Sequence, residues 1–469
     1  MIPELGMVAL AVLALAFLAW VLACTMSGRY EPIVLVWVLL APLTYGLLAY
    51  PLDRPVITLH RAVILPLTLL VLVLPPAAKG RITPKLAWLA VTWGCFLLGV
   101  LISLVNTPRS VWLSAIRVVI DTFMLPLLLA YAIYRSFRVR ENLAALHGVV
   151  CGVSIYLMVI GAMEVILERD LLPQPYSIGP WYAGGNTFQV VRANGPFLTS
   201  GTFSTVGLIN VFLVLFLYHA MNGNQPLATR LLHWPGVISG LVVSLMSLTR
   251  GIVIALLFIL AFEFWREPSA KRRILVSACA LSLAGMIALA SANAPADLVS
   301  ERSSADNFWG RVAQQEQNIR VFLENPITGT GFANFHNPYQ SEVAVAGVTA
   351  VGYPHNLLAQ ILAETGLLGT IPFLLSQVLV IAAFRKLRRL NPVGGALVWP
   401  YFAMIFITFW LMNMESSIGY HSEMTLWFVF ALSILYRYAA EPASQVPIAT
   451  LSPFPGRTFA LPPTPLGRG

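Results

Sequence analysis

Long apolar runs separated by short polar stretches recur from one end of the chain to the other. The first covers Leu5 to Ala23, and the last closes shortly before Ala440. Most are about 17–25 residues long, which is what an α-helix needs to cross the hydrocarbon of a bilayer. The polar breaks predict spans near residues 5–24, 32–50, 60–76, 86–105, 112–134, 143–167, 200–220, 233–249, 251–265, 274–293, 356–384, 396–414 and 422–438. No segment alternates apolar and polar residues with period two, as the strands of a membrane barrel do. With no water in the bilayer core to satisfy the backbone, the spans are read as helices.

Two polar intervals are too long to be simple connections: residues 168–199 and 294–355. Loops of this length in a compact protein usually carry function. The second predicts a helix of its own. Trp309, Val312, Ile319, Phe322 and Leu323 make an apolar stripe, and Arg311, Gln315 and Asn318 share another face. Asn325-Pro326 ends that helix, and the "TGTG" of 328–331 follows as a turn. The chain therefore divides into helices over 1–167, a loop over 168–199, helices over 200–293, a large loop over 294–355, helices over 356–438 and a Pro-rich tail over 439–469. The tail is expected to be disordered.

Composition fits a polytopic helical membrane protein. Hydrophobic residues make up 58% of the 469 and charged residues 10%, where a soluble domain carries about a quarter charged residues. The first apolar run lacks the basic lead of a signal peptide and is read as a retained helix. "VLAC" at 21–24 only faintly suggests a lipid-attachment site. Cys24, Cys95, Cys151 and Cys279 fall within or at the ends of apolar runs, fit neither a disulfide framework nor a metal-ligand spacing, and are read as packing.

The net charge of +9 argues for topology rather than nucleic acid. Its basic clusters are short and lie between spans, at 79–85, 135–140, 266–273 and 385–389. Threading the spans puts all four clusters on one side, the cytoplasmic side under the positive-inside rule. The N-terminus and both long loops are then outside, and the C-terminus is inside.

Against that rule, several arginines fall on the outer side. Arg192 lies at the outer end of a span, Arg250 in a short outer turn, and Arg302 and Arg311 in the large loop. Arg117 lies inside an apolar run near its outer end, with Asp121 one turn on as a possible ion-pair partner. Arg320 is expected to pair with Glu316 or Glu324. Converging guanidiniums imply an anionic ligand, because arginine grips phosphate bidentately and keeps its charge. For a protein held in the membrane, a lipid-linked diphosphate is the obvious anion. His355 and Asn356 open the helix after Tyr353-Pro354. The helix dipole there favours anions and a neutral imidazole, suited to a general base or a donor to phosphate. Glu364, half a turn around that helix, would be costly to bury alone, and a structural pairing with an arginine is open to it. Glu415, His421 and Glu423, in or beside the last outer turn, are weaker candidates.

"PHNLLAQILAETGLLG" at 354–369 resembles the PHN-x-x-L-x-x-L-x-E-x-G-x-x-G signature of the O-antigen ligase and polymerase superfamily. "GRVAQQEQNIRVFLENPITGTGFANF" at 310–335 is similar to the family's Arg-helix-Pro-x-x-G-x-G stretch, "SLTRG" at 247–251 to its Ser-x-x-Arg-Gly turn, and "RANGPFLTSG" at 192–201 to its Arg-x-x-Gly-x-Phe lead-in to a span. The resemblance covers about residues 192–384. The family usually has an even span number with an inner N-terminus, and the tail here is extra.

The resemblance implies an all-α membrane enzyme of about 12–13 transmembrane helices with a C-type glycosyltransferase architecture and two outer-face loops. It implies inverting, metal-independent transfer of a glycan from undecaprenyl diphosphate to an acceptor hydroxyl, at the periplasmic face of the bacterial inner membrane, without a cofactor. Arg250 and Arg311 would hold the diphosphate, His355 would contact it or deprotonate the acceptor, and Arg192 would bind sugar or phosphate. Arg302, Asn356, Glu364 and Arg117 complete the candidate substrate-binding set. The acceptor would be another lipid-linked repeat unit in a polymerase, toward which the two loops tilt the reading, or lipid A–core in a ligase. A chain-length regulator is a possible partner, beside the membrane lipids. A flippase for lipid-linked sugar is the rival; it would place polar groups near the bilayer midplane and show paired halves, whereas the unmatched charges crowd one face.

Overall fold

The computed structural model describes residues 19–21, 23–24, 26–44, 49–50, 56–74, 84–172, 181–183, 190–247, 249–266, 305–334, 344–345, 348–349, 356–414 and 422–441. The expected spans at 5–24, for the most part, and at 274–293 lie outside them, as does nearly all of the tail. Within the described residues the chain is an all-α, multi-pass membrane protein with six helices long and apolar enough to cross a membrane.

The helices are α1 (Glu31–Leu40), α2 (Leu59–Val73), α3 (Pro84–Ser103), α4 (Trp112–Val118), α5 (Leu125–Ser136), α6 (Leu143–Leu167), α7 (Ser200–Ala220), α8 (Leu227–Met246), α9 (Arg250–Arg266), α10 (Ala305–Glu324), α11 (Leu357–Leu390), α12 (Pro392–Asn413) and α13 (Ser422–Ala440). Three short antiparallel pairs decorate them: β1 (Ala49–Tyr50) with β2 (Ile57–Thr58), β3 (Trp181–Ala183) with β4 (Val190–Arg192), and β5 (Ala344–Val345) with β6 (Val348–Thr349). Several starts follow from capping. Thr58, Thr199, Asn356 and Asn391 each accept the backbone N–H three residues on, at the heads of α2, α7, α11 and α12.

The helices depart from the expected spans in three places. The span at 32–50 is shorter, because α1 gives way to a turn over Ala41–Leu43 and then to the β1–β2 pair. The span at 233–249 begins earlier, at Leu227, and continues through Pro235. The span at 112–134 is interrupted by a π turn over Val119–Met124 that joins α4 to α5. Such turns often mark functional positions. Asp121 sits in it, and both of its carboxylate oxygens accept from Arg61, at 2.8 Å each. The local Arg117 pairing is thus not what anchors Asp121; an arginine sixty residues away does so with a two-pronged bond that the spacing rule does not see.

One end of the bundle gathers two of the basic clusters, the other two lying almost wholly outside the described residues. Glu31 at the head of α1 takes Arg138 at 3.1 Å. Glu441, just after α13, accepts from the backbone N–H groups of Val139 and Arg140 at 3.0 and 2.9 Å and pairs with Arg437. Asn391, between α11 and α12, donates to Ala439 O. The clusters at 135–140 and 385–389 therefore share an end, as the threading requires. Closely packed helices meet at small residues. A Cβ on Gly207 of α7 would stand 2.9 Å from Gly240 O on α8, and one on Gly99 of α3 would stand 2.7 Å from Leu368 O on α11.

Candidate functional site

Two assemblies occupy the end of the bundle opposite the basic one. The first is built around Arg192, the last residue of β4. Its Nε donates to Ser247 O at 3.0 Å and its Nη2 to Thr249 Oγ1 at 3.3 Å. Ala193 N adds a bond to Met246 O, and Ser247 Oγ bonds Thr249 Oγ1 at 2.9 Å. This fixes the turn after α8 from which α9 opens, and Arg250 is the first residue of α9. The structure thus brings Arg192 against the very turn that presents Arg250, although the two are 58 residues apart.

Glu164, near the end of α6, holds the other side of this assembly. Its Oε2 accepts from Asn194 N at 3.1 Å and Gly195 N at 2.7 Å, with the side chain fully buried. Two backbone donors on one carboxylate oxygen fix the "RANG" turn rigidly. The sequence reading missed Glu164. Its signal was a lone acidic residue inside the last turn of an apolar run.

The second assembly is an interlock between the "NPITGTG" turn and α11. That helix is not continuous. Gly366 adopts φ +58° and ψ −157°, so residues 357–365 form a half-helix and the remainder begins anew. The broken ladder is completed by the turn. Thr330 N and Gly331 N donate to Ala363 O and Glu364 O, at 3.0 and 3.2 Å, and Leu367 N and Leu368 N donate to Pro326 O and Ile327 O, at 2.9 and 3.1 Å. The two chains approach so closely that only glycine serves at the contact. A Cβ on Gly329 would stand 2.3 Å from Glu364 C, and one on Gly366 would stand 2.4 Å from Ile327 O. The end of α3 seals the contact. Ser103 Oγ donates to Glu364 O, Asn106 Nδ2 to Gly329 O at 2.8 Å, and Thr107 Oγ1 to Phe332 O at 2.9 Å.

Glu364 is the hub of this interlock. It is completely buried, and its Oε2 accepts from Ala333 N and its Oε1 from Gln360 Nε2, each at 3.0 Å. These bonds go to a backbone amide and to a neighbouring side-chain amide. Asn356 caps α11 through its Oδ1, which accepts Ala359 N at 3.0 Å. His355, immediately before the cap, lies outside the described residues, as do Arg302, Glu415 and His421.

Helix α10 leads straight into the interlocked turn and packs on the half-helix of α11, Val321 against Ala363. Arg311 is exposed on it, and Arg320 pairs with Glu316 at 2.6 Å as expected. The apolar stripe, however, is not the buried face. Ala313, Gln314, Gln317, Asn318 and Val321 are buried, while Ile319 and Leu323 are exposed. Arg117, on α4, is half-buried.

Part of what converges here, the turn before α9, α10, the turn at 326–331 and the half-helix of α11, falls within a stretch shared with a known family. Residues 235–374 match the family model of the O-antigen ligases. Over these residues the chain is similar to the O-antigen ligases. The match takes in Arg250, Arg302, Arg311, His355, Asn356 and Glu364 and leaves out Arg117 and Arg192. It covers just under a third of the chain, and its class of chemistry is glycosyl transfer in O-antigen assembly. No curated protein matches the chain.

Proposed function

We propose that this protein transfers a glycan from an undecaprenyl-diphosphate-linked donor to an acceptor hydroxyl, at the outer face of the bacterial inner membrane. The observation that carries this reading is the interlock. It joins α10, with Arg311, to the half-helix that opens directly after His355, and it does so at the end of the bundle to which Arg192 and the start of α9 also belong. Basic residues at the end opposite the basic clusters run against the positive-inside rule, which is the expected mark of an anion site.

In this reading Arg250 and Arg311 hold the diphosphate. Charge develops on it as the bond from the anomeric carbon to the phosphate oxygen breaks, and fixed guanidiniums stabilise that charge without reorganising. The acceptor oxygen attacks the opposite face of the anomeric carbon, so configuration inverts. His355 takes the proton of the attacking hydroxyl or donates to the phosphate. Arg192 positions the turn from which α9 opens and binds sugar or phosphate. Arg302, Asn356 and Arg117 line the approach, and Glu364 holds the half-helix in place. A second lipid-linked repeat unit as acceptor makes the protein a polymerase; lipid A–core makes it a ligase.

The test is reconstitution in nanodiscs with a lipid-diphosphate repeat unit, comparing wild type with Arg250→Ala and His355→Ala. Release of undecaprenyl diphosphate with a lengthening glycan, lost in both variants while folding is kept, supports the polymerase form. Release only when lipid A–core is supplied supports the ligase form. Passage of the intact sugar lipid across the bilayer without turnover refutes both and favours a transporter.

A further inference from the structure

Helix α10 is turned inside out for a helix in water. The face it sets against the protein carries Gln314, Gln317, Asn318 and Val321, all under 5% exposed, and both amide atoms of Asn318 are buried without a hydrogen-bond partner. The face pointing the other way carries Ile319 and Leu323, 54% and 66% exposed, and the stripe runs on to Ile327 at 64%. Ile319 and Leu323 stand at i and i+4 along one side of α10, and Ile327 follows in the turn just past its end. A soluble protein buries such a stripe and exposes its amides.

The stripe does not end in water. Ile327 O accepts Leu368 N, and Pro326 O accepts Leu367 N, so the end of the stripe is bonded to the head of the long half of α11. There Leu367, Leu368, Ile371, Leu375 and Val378 are exposed in turn down a helix long and apolar enough to cross the membrane. Exposed apolar side chains thus run from α11, through Ile327 bonded at Leu368, to Leu323 and Ile319 of α10.

We infer that α10 is an interfacial helix whose Ile319–Leu323–Ile327 face is covered by bilayer lipid. Continuity with the lipid-facing side of α11 selects lipid over a protein partner. Arg320 and Glu316 lie on the same side as a mutual ion pair, an arrangement that suits the headgroup layer, where long charged side chains reach outward past buried stems. On the proposed function, this places Arg311, at the edge of α10, level with the headgroups, where the diphosphate of a polyprenyl lipid also lies.

The test places an environment-sensitive fluorescent amino acid singly at positions 319, 323, 327 and 325 of the full chain in nanodiscs. The first three are exposed sites that a label should not unfold, and Asn325 is an exposed reference just past the helix. The expected result is a blue-shifted emission at 319, 323 and 327 that loses intensity with nitroxide-bearing lipids and resists aqueous iodide, with the reverse at 325. An interfacial helix sinks only about 5–10 Å, so a nitroxide high on the acyl chain should quench more than one near its end. Iodide quenching at all four positions overturns the inference, as does shielding from both quenchers, which would mean a second copy or another protein covers the face. None of these outcomes depends on turnover, so the proposed function stands or falls separately.

Discussion

Gly329→Ala is the sharpest probe of the interlock. The new Cβ would sit 2.3 Å from both C and O of Glu364 and 2.5 Å from Thr365 N, and all three are backbone atoms that cannot rotate aside. Gly329 also has φ +71°, a left-handed conformation that costs an alanine roughly 1–2 kcal/mol. Relieving the clash means moving the turn away from α11. The four backbone hydrogen bonds between them would then stretch or break, each worth about 0.5–1.5 kcal/mol net and more where a buried group is left unpaired. Together these give a loss of order 3–8 kcal/mol for the interlocked region. Thermal unfolding in detergent and turnover in nanodiscs should both be measured. Gly94→Ala and Gly152→Ala serve as controls, since nothing lies within 4 Å of an added Cβ at either helical position, and alanine there should be neutral or stabilising by up to about 1 kcal/mol. Turnover by Gly329→Ala should be nearly abolished even where the rest of the bundle stays folded, because α10 and the half-helix of α11 lose the common frame on which the proposed site rests. A Gly329→Ala protein that melts and turns over like the two controls would refute the reasoning.

Three further outcomes follow from the geometry. Glu364→Ala leaves the Ala333 N–H and the Gln360 amide without their acceptor and should cost about 2–4 kcal/mol in unfolding experiments; unchanged melting with only a raised KM would make Glu364 a substrate ligand instead. Arg192→Lys loses the paired bonds to Ser247 O and Thr249 Oγ1 and should lower kcat/KM by about tenfold or more, and a double-mutant cycle with Thr249→Val should show coupling between the two positions. Glu423 is buried at the head of α13 with neither carboxylate oxygen hydrogen-bonded, so Glu423→Gln should leave melting unchanged or raise it by up to about 1–3 kcal/mol; a marked loss of turnover in a protein that still folds would contradict a purely structural view of it.

Much of this architecture can be read from hydropathy. The apolar runs foretell most of the described helices because a span must be long and greasy to exist at all, and Asn325-Pro326 marks the end of α10 correctly. The motifs around Arg192, Arg250, Arg311 and Glu364 name the segments that converge. How they converge is not legible. The paired glycines Gly366 and Gly369 allow a break or a close approach in α11, but the turn that fills the break lies 35 or more residues upstream, and the anchoring of "RANG" by Glu164 and of Asp121 by Arg61 are long-range pairings with no local period. The facing of α10 is a third case. Periodicity finds its two faces but not which one meets protein, because the usual rule assumes water outside.

The break in α11 also bears on how the protein is made. Residues 367–390 form an ordinary apolar helix that can enter the membrane with its own backbone satisfied. The half-helix before it cannot settle in the same way, since the carbonyls of Ala363 and Glu364 take their partners from the turn at 326–331 and, for Glu364, also from Ser103 of α3. That turn is synthesised earlier and must wait for α11 before the two can clasp. Assembly therefore has two stages, insertion of the long helix first and closure of the clasp afterwards. A newly made chain lacks the clasp between α10 and the half-helix of α11 until the second stage is complete, so membrane insertion and completion of this end of the fold are separate events in its biogenesis.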